Sequence, residues 1–207
     1  MIYKPTYTAP VLAHGTKTAD IEWDNIPAAK VSNWLWRQDY TPETEARLAL
    51  IEGEGLAIRM VSRESDPVAR HTEYGDEVWV DSAMEFFFAV REGGVYVNLE
   101  MNSAGNKLVG VGAGREVRAA IDEYFPCPPV KAEVVPGRWS AECFFSKSDL
   151  DRVFGDFPCG DGAVLYGNFF KVGEETGRPH YGAWAAIDWP EPDFHRPEFF
   201  GKIEFRK

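Results

Sequence analysis

Glu77-Val-Trp-Val-Asp-Ser-Ala-Met-Glu-Phe-Phe-Phe-Ala-Val90 alternates with period two and reads as a β-strand. One face carries Val80, Ser82, Met84, Phe86, Phe88 and Val90, which is a core face. The other carries Trp79, Asp81, Ala83, Glu85, Phe87 and Ala89. Trp79 and Glu85 are an even number of residues apart, so they share that second face. An aromatic plate beside a carboxylate acceptor suits a sugar. The ring stacks on the apolar face of a pyranose and the carboxylate accepts hydrogen bonds from its hydroxyls.

The neighbouring segments alternate in the same way. Thr44 to Leu50 and Gly55 to Ser62 flank a Gly53-Glu-Gly55 turn and form a hairpin. The polar run 63–78 reads as a long loop. After Gly93-Gly94, Val95 to Asn102 places Tyr96, Asn98, Glu100 and Asn102 on one side. Paired antiparallel with 79–90, this polar set joins the face of Trp79 and Glu85. Short strands follow at Lys107–Val111, Arg138–Phe145, Ala163–Lys171, Trp184–Ile187 and Lys202–Phe205. Residues 1–20, broken by Pro5 and Pro10, read as irregular, and 112–136 as a charged segment with a Cys127-Pro-Pro129 break. Ser148-Asp-Leu-Asp151 has a capping pattern, so Ser148–Phe154 is the one short helix expected. Eight or nine strands and almost no helix describe an all-β antiparallel β-sandwich of immunoglobulin or jelly-roll type, in a single domain over residues 1–207.

Composition sets further bounds. The 207 residues are 44% hydrophobic and 14% aromatic, enough for a sizeable core. A net charge of −11, with no basic stripe, excludes nucleic acid and an acidic membrane surface as partners. Cys127, Cys143 and Cys159 lack metal-ligand spacing. Cys143 reads as a buried thiol, and a Cys127–Cys159 disulfide stays open. The N-terminus has no apolar leader and no long apolar run follows, so the chain reads as cytoplasmic as it stands.

Several segments, in order, resemble the family 9 carbohydrate-binding modules and more closely the family-9-like group of bacterial sugar-degrading systems. They are Trp23-Asp24, Val78-Trp-Val-Asp-Ser-Ala-Met-Glu-Phe-Phe87, Tyr96-Val-Asn-Leu-Glu-Met-Asn102, Asn168-Phe-Phe-Lys171, and Trp184 with Pro192-Asp-Phe-His-Arg-Pro-Glu-Phe-Phe-Gly201. In that family two aromatic rings clamp one sugar while a glutamate and an arginine grip its hydroxyls. The resemblance assigns the rings to Trp79 and Phe194 and the glutamate to Glu85, and sets Asn168 near an amide that contacts sugar. The arginine position falls on Glu100, which replaces a forked donor with a second carboxylate. Structural calcium occurs in some members, but no dense Asp/Asn loop marks a site here, and no cofactor is expected.

The candidate ligand set is therefore Trp79, Glu85, Glu100, Asn168, Phe194, His195 and Arg196. His195 and Arg196 lie between prolines in a stiff loop. They either face a ligand or, for His195, lock the last strand by a backbone bond. The function implied is non-catalytic recognition of a mono- or oligosaccharide in carbohydrate catabolism. Two alternatives stand beside it. One is a glycoside hydrolase using Glu85 and Glu100 as its carboxyl pair; the other is a structural or interaction sandwich with a decayed site. Glu85 and Glu100 are expected on an open, wet face where neither titration is strongly shifted, which argues against catalysis.

Overall fold

The computed structural model describes residues 4–207. The hairpin expected at 44–62 is β4 (Thr44–Ile51) and β5 (Gly55–Ser62), in register from Ile51↔Gly55 to Thr44↔Ser62. In chain order the other strands are β1 (Thr6–Leu12), β2 (Ala29–Val31), β3 (Asn33–Trp34), β6 (Ala83–Ala89), β7 (Tyr96–Asn102), β8 (Lys107–Gly112) and β9 (Arg118–Ala120). After these come β10 (Val130–Val135), β11 (Arg138–Ser146), β12 (Val164–Gly173), β13 (His180–Ala183) and β14 (Gly201–Arg206). Helix α1 (Lys147–Phe154) follows β11. Its N-cap is Ser146, whose Oγ accepts from the Asp149 amide, so the helix starts one residue before the Ser148 expected.

Two sheets face each other. One runs β10-β11-β5-β4 with β2 beside β4; the other runs β9-β8-β7-β6-β12-β14, with β13 and β3 continuing from β12. Pairing is antiparallel except at β1, which contradicts the irregular reading of residues 1–20. Thr6–Pro10 runs parallel to β14 and Val11–Leu12 runs parallel to β4, so one strand links both sheets. Pro10 stands where β1 changes partner, a place where a missing N–H costs no ladder bond. The sequence also misplaced a strand at Trp184–Ile187, since pairing there ends at Ala183, and hid β10 behind the prolines of 127–129.

Between the sheets lies the main core, with Leu48, Ile58, Met60, Met84, Phe86, Phe88, Leu99, Trp139 and Phe169 all fully buried. Phe86 stacks on Phe88 and on Phe169, with centroids 4.8 Å apart in each pair. Met84, Phe86 and Phe88 point inward as the period-two reading requires. The alternation does not extend back to Trp79, because Val78–Val80 is a 3-10 turn and the strand starts at Ala83. Asp81 and Ser82 are consequently both buried.

The outer face of β6, β7 and β12 is covered as well. The segment after β13 folds across it, so Phe194 and Phe200 pack on Phe87, Phe170, Tyr96 and Ile187 in a second apolar layer. Phe194 stacks on Phe170 at 4.1 Å with an interplanar angle of 8°. Every residue of β6 and β7 is thereby buried.

One charged cluster sits inside the sandwich. The Lys171 ammonium, fully buried, lies 3.2 Å from Glu64 and donates to Nε2 of His180 at 2.8 Å. Since Nε2 accepts, Nδ1 carries the proton and donates to the Arg178 carbonyl. Glu64 also accepts from the Trp139 indole and the Ser82 hydroxyl. Burial pulls Lys171 down to about 8 against the pull of Glu64, and holds His180 neutral at about 4.

All three cysteines are free thiols. Cys143 is buried as expected, and Cys127 and Cys159 are not bridged; the Cys159 thiol instead donates to the Ile51 carbonyl.

Candidate functional site

A cleft of about 430 Å³ opens on the outer face of the β6–β7 sheet. Its lining includes Trp79, Glu85, Glu100, Phe194 and His195, five of the seven residues singled out from the sequence. The strands explain the convergence. Glu85 on β6 and Glu100 on β7 are direct cross-strand neighbours. Trp79 stands on the 3-10 turn before β6, half-buried against the second apolar layer. Phe194 and His195 arrive on the segment that covers the sheet.

The carboxyls are not on a wet surface. Glu85 is 2% exposed and Glu100 3%. The covering segment excludes water, which sequence alternation cannot register. Burial raises Glu85 well above the usual carboxylate range, with the neighbouring Glu100 charge adding to it. Glu100 is pushed up to about 7 by burial, against the lowering pull of Arg118 and of the Asn98 amide. Asn98 Nδ2 donates to Glu100 Oε1 at 2.9 Å, while Oε2 is buried without a donor. The Glu85 carboxyl has no hydrogen-bond partner among the described residues.

A guanidinium does reach the cleft, from a position the sequence reading passed over. Arg118 on β9 comes within 4.0 Å of Glu100. Its Nη1 donates to His195 Nε2 at 2.8 Å, which leaves Nδ1–H to donate to the Tyr96 hydroxyl at 2.8 Å. Burial and the charges of Arg118 and Arg115 keep His195 neutral, pulling it down to about 3. His195 thus orients Arg118 and makes a side-chain bond, where a backbone lock was one expectation. β9 has three residues, too few for a period; only the Gly112-Ala-Gly114 turn before it signalled a hairpin. That turn is tight: a Cβ on Gly112 would lie 2.1 Å from the Val117 carbonyl oxygen.

Tyr181, Arg115, Glu174 and Asp193 complete the lining together with Pro192. Behind Phe194, Trp36 packs on Tyr181 at 5.6 Å and on Phe194 at 5.9 Å. Trp36 holds φ 55°, the left-handed region that a bulky side chain rarely enters. Its indole N–H donates to the Trp189 carbonyl at 2.7 Å.

Two expected residues lie elsewhere. Asn168 is fully buried on the cleft's sheet but spends its amide on the chain: Nδ2 donates to the Ala185 carbonyl and Oδ1 accepts from the Ala185 amide. It pins the covering segment. Arg196 turns away from the cleft, pairing with Asp193 at 2.8 Å and lying 3.5 Å over the Trp189 ring. No cluster of three or more His, Cys, Asp or Glu among the described residues is placed to hold a metal. No helix among them is long and apolar enough to cross a membrane.

The fold has counterparts among solved structures. A Bacteroides uniformis protein, whose name gives carbohydrate binding as a supposition, superposes with TM-score 0.84 at 22% identity, covering 99% of this chain and 100% of its own. A family 9 carbohydrate-binding module of Caldicellulosiruptor kristjanssonii, solved in complex with glucose, gives TM-score 0.66 at 10% identity over 95% of this chain and 94% of its own. The module of that organism in complex with cellotriose gives 0.64 at 9% identity, over 96% and 93%. No curated protein matches significantly. The family model for carbohydrate-binding family 9 matches residues 16–126 and 152–205, most of the sequence. The chain belongs to carbohydrate-binding family 9.

Proposed function

We propose that the cleft binds one terminal sugar ring and performs no chemistry on it. The observation that carries this is the meeting of two aromatic rings, two buried carboxyls and one oriented guanidinium in a single cleft. Trp79 and Phe194 offer apolar plates for the faces of a pyranose. Glu85 and Glu100 accept from hydroxyls, or donate when protonated. Arg118, fixed by His195, supplies the forked donor. The arginine missing from the β7 position is thus supplied from β9.

Structural neighbours hold glucose and cellotriose, so these are the first probes. Calorimetry should detect binding of one or both, and Arg118→Ala should weaken it by about tenfold or more, as loss of a charge-assisted bond implies. Failure of a broad glycan panel to bind would instead favour a structural or interaction domain. The hydrolase reading has one observation behind it, a buried carboxyl pair of which Glu85 is held well above the usual carboxylate range.

A further inference from the structure

The cleft gathers more carboxyls than cations, an excess that a neutral sugar does not use. Glu85, Glu100, Glu174 and Asp193 line it, against Arg115 and Arg118. The cations are not free to serve the carboxyl pair. Asp193 is held by Arg196 at 2.8 Å and approached by Arg115 at 3.8 Å. Arg118 donates to His195 and stays 4.0 Å from Glu100. Behind the sheet, Lys171 is engaged with Glu64. Two carboxyls almost wholly removed from water therefore face the cleft side by side, one with an orphaned oxygen and the other with no partner.

Buried carboxylates in this state attract a cation with hydrogen-bond donors. We propose that the preferred ligand is a sugar bearing a protonated amine, an amino sugar whose ammonium docks between Glu85 and Glu100. This rests on the reading of the cleft as a sugar site. An ammonium has three donors and no acceptor, which matches two carboxylates better than a hydroxyl does. The same arrangement disfavours uronic acids, whose carboxylate fits only while the pair stays protonated. It also prefers the free amine to its N-acetyl form, whose amide carries no charge and a single donor. The raised carboxyl titrations add a consequence: the pair gives up a proton to solvent as the ammonium arrives.

The test is calorimetry with glucosamine, glucose, N-acetylglucosamine and glucuronic acid at neutral pH, in two buffers of different ionisation enthalpy. We expect glucosamine to bind about tenfold or more tightly than glucose, with proton release into both buffers. In Glu100→Gln and Glu85→Gln the ratio of the two affinities should fall towards one, with folding checked by circular dichroism. Glucose binding as well as or better than glucosamine would overturn the amino-sugar inference and leave the sugar site standing. Absence of binding to every sugar would overturn both.

Discussion

Glu85 and Glu100 stand directly opposite each other on β6 and β7, and among the described residues neither has a counter-ion closer than the 4.0 Å of Arg118. An unfolded glutamate titrates at about 4.3, whereas folded Glu100 does so at about 7 and Glu85 well above the usual range. Over that interval the folded state holds protons that the unfolded chain has released. The carboxyls' contribution is therefore full below the unfolded value and is lost as pH rises through the folded one. His180 and His195, held neutral, act in the opposite sense below about 6.5, so the difference between wild type and variant is the quantity to read. Urea unfolding across mildly acidic to mildly basic pH should show Glu85→Gln and Glu100→Gln more stable than wild type at the basic end. The gain should be on the order of 1–3 kcal/mol for a buried, poorly compensated charge. Parallel pH curves for wild type and variants would refute it.

Trp79 and Phe194 should separate binding from stability. Trp79 is half-buried at the cleft edge, so Trp79→Ala should weaken sugar binding by about 1–3 kcal/mol while the protein stays folded. Phe194 is 8% exposed and stacked on Phe170, so Phe194→Ala should also cost about 3 kcal/mol of stability. Paired calorimetry and denaturation on both variants decide this. A Trp79→Ala protein that binds normally would remove Trp79 from the site.

These residues also show how far the sequence could be read. Alternation placed Met84, Phe86 and Phe88 in the core and joined Glu85 to Glu100, because the side-chain period of a strand is a local property. It did not show that the opposite face is buried. That depends on residues 184–200 folding across the sheet, a long-range event with no periodic signature. For the same reason the sequence could not show that the Asn168 amide is bonded to that segment. Arg118 was missed because a three-residue strand has no measurable period. The two aromatic positions that the family resemblance assigns do line one cleft, but its residue-by-residue arginine match could not see a guanidinium that reaches the cleft from another strand.

Lys171 and Glu64 should behave as one unit. Removing the ammonium with Lys171→Met leaves a buried carboxylate uncompensated, and a loss of about 3–5 kcal/mol follows. The double variant Lys171→Met, Glu64→Gln should recover a large part of it. Chemical denaturation of the two single variants and the double gives the coupling directly; additive losses would show that the pair does not interact.

Asp81 fastens the 68–76 loop. Its Oδ2 accepts from the amides of Arg70 and His71 and from Asn102 Nδ2, while Asn106 holds the His71 and Glu73 carbonyls. Asp81→Ala should free this loop and make it the first site of limited proteolysis. An unchanged cleavage pattern would show that the asparagines suffice.

Last, the protein should not hydrolyse glycosides. Cross-strand neighbours have Cβ atoms about 5 Å apart, a spacing at which a retaining carboxyl pair can work. Spacing alone does not make a catalyst. The two carboxyls of a glycosidase flank the scissile bond, whereas Glu85 and Glu100 project from one sheet face, so a ring bound in the cleft would meet both from the same side. Burial raises Glu85 well above the usual range and Glu100 to about 7, so it is the one-sided placement of the pair, not its titration, that argues against catalysis. Incubation of the pure chain with aryl-glycosides and oligosaccharides, with Glu85→Gln and Glu100→Gln in parallel, should give no product above buffer. Turnover that both substitutions abolish would make this cleft an active site.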